Sequence, residues 1–404
     1  MADGFEIVSY KRQAGRKTDI RFLNREVAEK TTQFHKSFPG YCRTPLARLK
    51  NAAKEFGVAD IFVKDESYRF GLNAFKVLGA SFAIGQYIAN RLGRDLSELP
   101  FSVMTSDEVK KELGEITLVT ATDGNHGRGV AWTANQLGQR SVVYMPKGSA
   151  PERLANIRKE NSDASITDLR YDDTVRMARK RAEEPNCVLV QDTSWDGYTQ
   201  VPTWIIQGYT TMANEIAQQL IEMDVDRPTH IFLQAGVGSM PASLCGFFAN
   251  IYEDNQPVIT VVEPNKADCI FRTAKAGDGK FHFVTEEMNT IMAGLACGEP
   301  CPIAWDVLKG YCDHFISFPD YAAAKGMRVL GNPMGDDPRV VSGESGASAF
   351  GCVAEILTNP DLVSIKEELG IDQNSRLLFV STEGDTDRKN YRDIVWDGKY
   401  PSKK

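Results

Sequence analysis

Short runs rich in β-branched and aromatic residues alternate with longer amphipathic stretches along most of this chain, and that alternation constrains the fold more than any other feature. The strand-like runs are Ile61–Lys64, Thr117–Thr120, Ser141–Met145, Ala164–Asp168, Cys187–Gln191, His230–Gln234, Val258–Val262 and Leu377–Ser381. Between them the spacing predicts helices over Phe75–Leu92, Asn125–Leu137, Glu152–Asn161, Thr174–Glu184, Tyr198–Met223, Pro241–Tyr252, Tyr321–Leu330 and Ala347–Leu357. Such an order predicts parallel sheets covered by helices on both faces, because a parallel connection needs a crossover about a helix long. Runs such as Val142-Val143-Tyr144-Met145 and Ile231-Phe232-Leu233 are apolar on both sides, as strands buried on both faces must be. The polar stretch Ser106–Glu115 reads as surface. No low-complexity linker divides the 404 residues, so any domain division is a packed one that the chain can cross more than once.

Composition narrows the function classes. A net charge of -7 gives no general attraction for nucleic acid or anionic lipid. No apolar run approaches the ~18 residues that span a bilayer, and MADGFEIVSYKRQAGRK lacks the apolar centre of a signal peptide. The expected compartment is the cytosol. The eight cysteines are scattered, unlike those of a small disulfide scaffold. Cys297, Cys301, Cys312 and His314 offer four soft ligands, but C-x3-C-x10-C-x-H lacks the tight pairs of structural zinc sites, and no metal is expected. Whether Cys269 pairs with Cys297 or Cys301 under oxidant stays open.

In open parallel sheets, ligands sit beyond the carboxyl ends of strands, so the loops there are the places to search. After Ile61–Lys64 comes Lys76, at the opening of an apolar helix. A helix N-terminus disfavours a cation, and an enclosed lysine there suits Schiff-base chemistry; a solvated lysine is the plain alternative. After Thr117–Thr120 comes Thr122-Asp123-Gly124-Asn125-His126-Gly127. Free N–H groups at such a turn suit a carboxylate or phosphate. Capping by Asp123 or Asn125 accounts for only part of it, and a carboxylate in an anion-binding loop is the anomaly. After His230–Gln234 comes Gly236-Val237-Gly238-Ser239-Met240-Pro241, either a phosphate nest or a tight turn. Ser342–Ala347 (SGESGA) and Ser381–Thr386 (STEGDT) place hydroxyls near strand or helix ends. Asp192, just past Cys187–Gln191, is a further carboxylate near these loops.

Taken in order, these residues resemble the β-family of pyridoxal-phosphate enzymes, also called fold type II. Lys64-x-Glu66 followed by Phe75-Lys76 is similar to that family's lysine motif. Thr122-Asp123-Gly124-Asn125-His126 is similar to its Ser-x-Gly-Asn-His loop, and Gly236-Val237-Gly238-Ser239 to its phosphate cup. Two positions depart: Ala74 replaces the usual serine, and Asp123 stands where a small residue is normal. Asp65–Lys76, Thr199–Tyr209 (TQVPTWIIQGY), Thr290–Pro300 (TIMAGLACGEP), SGESGA and STEGDT resemble the branch that splits 2,3-diaminopropionate into pyruvate and two ammonia.

The resemblance implies an α/β fold of two doubly wound domains, with mostly parallel sheets and helices on both faces. One would comprise 1–82 plus 200–404 and bind pyridoxal 5'-phosphate; the smaller would be 83–199. It implies Lys76, Asp123 and Asp192 as catalytic residues. Lys76, Asn125, Gly236, Val237, Gly238, Ser239, Met240 and either Ser381 or Thr382 would hold the cofactor. Thr122, Asp123, Gly124, Asn125 and His126 would hold the substrate. Lys76 would take the α-proton of one enantiomer; Asp123 would take that of the other or serve as carboxylate partner to the β-amine, and a cationic β-ammonium gives a reason for extra carboxylates. A homodimer is also implied. The alternatives are a serine/threonine dehydratase or β-replacing synthase on the same fold, a nicotinamide-dependent oxidoreductase using Gly236–Pro241 and Glu263, or a non-catalytic metabolite-binding protein.

Overall fold

The computed structural model describes residues 4–10, 18–122 and 124–402, so Asp123 lies outside the described residues. Eleven strands are found there: β1 (Glu6–Ser9), β2 (Leu46–Arg48), β3 (Asp60–Asp65), β4 (Thr117–Ala121), β5 (Arg140–Met145), β6 (Asp163–Ile166), β7 (Cys187–Leu189), β8 (His230–Gln234), β9 (Val258–Pro264), β10 (His314–Phe318) and β11 (Arg376–Ser381). They build a seven-stranded sheet, β1-β10-β9-β8-β11-β3-β2, and a four-stranded sheet, β6-β5-β4-β7. The small sheet is parallel throughout, and the large one is parallel from β10 to β3. Only the edge strands β1 and β2 pair antiparallel. The mixed α/β architecture expected from the sequence is the one observed.

Both faces of each sheet are covered, which explains the two-sided apolar runs. In β5, Val142 packs with Val175 and Ala178 on one face, while Val143 packs with Ala131 and Ile157 on the other. Three strands were not legible. β1 and β2 are edge strands of three or four residues, and β10 is a short apolar run with no turn signal ahead of it. The stretch Ser106–Glu115 contains a helix, Asp107–Leu113, capped by the Ser106 side chain and anchored by buried Val109 and Leu113. Tyr198–Met223 is two helices, Gln200–Gly208 and Thr210–Glu222, in place of one. At the junction the ladder tightens to an i→i+3 bond, Met212 N–H to Tyr209 O at 3.1 Å. The Tyr209 ring there packs on Phe75, with centroids 4.8 Å apart.

The helix Val77–Leu92 carries Lys76 at its start and is buried over most of its circumference. Its first turn meets the helix Asn125–Gln136 at Gly129. A Cβ at Gly129 would stand 2.8 Å from Val77 Cα, so only glycine lets the two backbones come this close. That contact brings the carboxyl end of β4 up to Lys76. No helix among the described residues is long and apolar enough to cross a membrane.

Candidate active site

The carboxyl ends of β8, β11, β4 and β7 converge on one cavity of about 720 Å³, counting its open mouth. Its wall carries Lys76, Asn125, Asp192, Thr382 and the whole run from Gly236 to Pro241. This is where a parallel sheet leaves free loop backbone and helix N-termini.

Lys76 Nζ donates to Asp192 Oδ2 at 2.8 Å. The lysine side chain is 18 % exposed and the aspartate 5 %, so the pair sits at the cavity surface. Burial pushes the Asp192 carboxyl up, but the Lys76 charge, with His126 helping, outweighs it and holds the group down at about 2. Asp192 is therefore ionised at neutral pH. His126 Nδ1 lies 3.9 Å from Asp192 Oδ2, and its Nε2 meets Val190 O at 2.8 Å, so the imidazole stands behind the carboxylate. Ser239 Oγ donates to Asp192 O at 2.9 Å, tying the loop after β7 to the loop after β8.

The β8 loop enters the helix Ser239–Tyr252 through Gly238, whose φ of +102° lies in the left-handed region. A Cβ at Gly236 would come 3.1 Å from Cys297 Sγ and 3.3 Å from Gly294 O. The backbone there is bare and stands close against a wall formed by Ala293–Cys297. Of the two candidate hydroxyls after β11, Thr382 lines the cavity, whereas Ser381 is fully buried and donates to Ser342 Oγ at 2.7 Å.

At the end of β4, Thr122 Oγ1 accepts N–H bonds from Gly124 at 2.9 Å and Gly127 at 3.0 Å. The hydroxyl thus closes the turn from ahead of both Asp123 and Asn125, the two residues expected to cap it. Asn125 reaches the cavity and donates Nδ2 to Glu383 Oε2 at 2.6 Å. Glu383 also accepts from Thr386 Oγ1 at 2.9 Å and from Ser345 N–H at 3.3 Å. Beside it, burial and the Glu383 charge push the Glu344 carboxyl up to about 7.

The cavity wall gathers Lys76, Asn125, Asp192, Gly236, Val237, Gly238, Ser239, Met240 and Thr382. Thr122, Gly124, His126 and Ser381 lie behind it. The wall also includes residues to which the sequence reading assigned no site role of their own: Phe75, Tyr171, Tyr209, Gln234, Ser345 and Glu383. For Gln234 and Glu383 the one sign was a polar residue closing or following an apolar strand, which is common enough to pass unremarked. Tyr209 ends a segment that carried the family resemblance, but nothing in it pointed to the cavity, because its place depends on the helix break. Glu263, the carboxylate required by a nicotinamide reading, instead accepts N–H bonds from Ile270 (3.0 Å) and Phe271 (2.6 Å) and caps the following helix. Cys312 packs on Cys245 at 3.7 Å, Cys301 lies 3.2 Å from Ser194 Oγ, and His314 meets Ser9 Oγ at 2.9 Å. Those soft ligands do not converge, and no metal-binding cluster forms among the described residues. No disulfide joins any of the cysteines.

Comparison with known proteins gives a consistent result. The family described as "Pyridoxal-phosphate dependent enzyme" matches residues 38–362. Diaminopropionate ammonia-lyase of Escherichia coli (strain K12) is 48% identical over 391 residues, covering 95% of this chain and 96% of that protein. A crystal structure of the Escherichia coli enzyme in complex with an aminoacrylate-PLP azomethine reaction intermediate matches with a TM-score of 0.90 at 46% identity, over 98% of both chains. The same enzyme in complex with D-serine matches with a TM-score of 0.91 at 45% identity, again over 98% of both chains.

Proposed function

This chain belongs to the pyridoxal-phosphate dependent enzymes, and from that premise we propose that it is a carbon-nitrogen lyase that converts 2,3-diaminopropionate, in both enantiomers, to pyruvate and two ammonia. The observation that carries the reading is the Lys76–Asp192 pair, an amine held by an ionised carboxylate inside a cavity floored by bare loop backbone. A β-ammonium substrate is itself cationic and suits carboxylates at the site. The neutral hydroxyl of serine has no such need.

The residues present fit pyridoxal phosphate. Lys76 would hold it covalently, and Gly236, Val237, Gly238, Ser239 and Met240 would cup its phosphate where a helix begins and no Cβ intrudes. Asn125 and Thr382 would reach its ring edges. Bound there, the cofactor supplies the electron sink for breaking the Cα–H and Cβ–N bonds.

The remaining work belongs to side chains. Lys76 Nζ takes the α-proton of one enantiomer, and Asp192 stabilises the ammonium that results. Asp123 takes the α-proton of the other enantiomer. The β-ammonium departs as neutral ammonia with the C–N electron pair, and the proton collected is returned to the β-carbon, which becomes the methyl group of pyruvate. One water completes the balance to pyruvate and the second ammonia. Thr122, Gly124, Asn125 and His126 shape the loop that receives the substrate carboxylate.

In this reading the enzyme is a cytosolic homodimer acting on a free amino acid. Its two lobes are 1–82 with 200–404, and 83–199, a division supported by the two separate sheets. The test is pyruvate release from D- and L-2,3-diaminopropionate, serine and threonine, with visible absorbance recorded in parallel. Both diaminopropionate enantiomers should be turned over in preference to the hydroxy amino acids; a clear preference for serine overturns the assignment.

A further inference from the structure

Gln234 closes β8, is 1 % exposed and lines the cavity, yet the mechanism above gives it no part. Its Nε2 carries two protons and faces three acceptors: Val380 O at 2.9 Å and Thr382 Oγ1 at 3.1 Å are the two nearer, and Gly346 O at 3.3 Å is the third. Two of these are carbonyls, which only accept. Turning the amide over would set Oε1 against both, so the nitrogen must face them. Oε1 meets no donor among the described residues.

The consequence falls on Thr382. Its oxygen receives an N–H from Gln234, so its own proton has to point elsewhere. The residue is 4 % exposed, and among the described residues its hydroxyl donates to no protein acceptor. Its backbone is pinned as well, because Thr382 O accepts from Phe75 N–H at 3.1 Å, next to Lys76. The neighbouring Ser381 hydroxyl is spent on Ser342.

We propose that Gln234 is a positioning residue that fixes the polarity of the Thr382 hydroxyl, making it a hydrogen-bond donor into the cavity. This rests on the function proposed above, in which the acceptor it meets is the ring nitrogen of the cofactor. A donor stabilises that nitrogen unprotonated; an acceptor would stabilise it protonated. The amide at the end of β8 therefore sets the strength of the electron sink without touching it.

The test compares Thr382→Val, Gln234→Asn and the double variant as holoenzymes. The readouts are the cofactor dissociation constant and the pH dependence of the cofactor's visible absorbance. Gln234→Asn keeps an amide but draws it back by one methylene, away from Thr382. Thr382→Val should weaken cofactor binding about 10-fold and move the absorbance profile. Gln234→Asn should weaken it roughly 3-fold or more and move the profile in the same direction. In the Thr382→Val background, Gln234→Asn should change the constant less than about 2-fold, because its effect runs through the missing hydroxyl.

If Gln234→Asn matches the wild type in both readouts, or acts undiminished beside Thr382→Val, the inference is wrong while the placement of Thr382 stands. If Thr382→Val changes neither readout, both fall. Should Gln234→Asn fail to fold, Gln234→Glu replaces it. A glutamic acid has at most one proton, which the two carbonyls claim, so Thr382 again loses its donor. A wild-type absorbance profile in Gln234→Glu overturns the proposal.

Discussion

Lys64 on β3 and Lys76 a little further along the chain each lie against a carboxylate, 2.6 Å from Glu215 and 2.8 Å from Asp192. Around Lys64 the network is closed. Its Nζ donates to Thr44 O at 2.7 Å, Glu215 Oε2 at 2.6 Å and Gln219 Oε1 at 2.8 Å, which uses all three of its protons. Arg69 bridges Glu215 and Glu66 from the same dry pocket. Burial pushes the Glu215 carboxyl up, but the Arg69 and Lys64 charges hold it down at about 2. Lys64 is 0 % exposed and Lys76 18 %, at a cavity wall. The same pair of functional groups is a structural tie where every donor is claimed and water is excluded. In the function proposed, it becomes a reactive centre where the amine borders open volume.

The largest effect should come from the cavity lysine. Lys76→Ala is expected to lower pyruvate release by about 10⁴-fold or more, since both cofactor anchoring and proton transfer are lost. The unfolding temperature of the cofactor-free protein should fall by only a few degrees, the cost of leaving Asp192 without its partner. A large stability loss would place Lys76 with Lys64 as a structural tie. Next comes Lys64→Met, which breaks a buried pair and should cost about 3–5 kcal/mol in denaturant unfolding. A cost below about 1 kcal/mol would show that Arg69 alone satisfies Glu215.

Asp192→Asn should reduce kcat about 10²-fold, because the ammonium form of Lys76 loses its partner. Steady-state rates with both enantiomers measure this, and an unchanged kcat would confine Asp192 to structure. Asp123→Asn should impair one enantiomer far more than the other in the same assay; equal losses would leave it only a shared binding role. The smallest effect is in acid. The Asp192 carboxyl moves from 3.8 when free to about 2 in the fold, and that of Glu215 from 4.5 to about 2. Both are depressed, so their stabilisation is complete above about pH 4.5 and is lost as pH falls through 2. Asp192→Asn should flatten this acid limb by about 2 kcal/mol in the cofactor-free protein. Unfolding curves between pH 2 and 6 test it, and an unchanged limb would mean that the pair does not persist without cofactor.

Interior strands were legible because burial on both faces leaves a continuous apolar run. His230–Gln234 has the bounds expected, and β3, β5 and β11 each extend only a residue or so beyond them. The edges β1 and β2 were not, since their pairing depends on partners distant in sequence, such as Ser9 on His314. Lys76, the β4 loop and the β8 loop stood out because each departs from what a plain strand–helix turn requires. Glu383 and Gln234 did not, because a polar residue at a strand end is ordinary until a cavity is known to lie beyond it.

Residue order alone therefore settled the α/β class and which loops follow which strands, because burial and turn chemistry are local and periodic, while the family rested on the likeness of three motifs. The fold decided which of those loops face one another, that Thr382 and not Ser381 reaches the cavity, and that one buried lysine is saturated while the other borders open space. Those outcomes depend on packing between distant segments, as at Gly129 against Val77, where the fit between two backbones sets a side chain's reach.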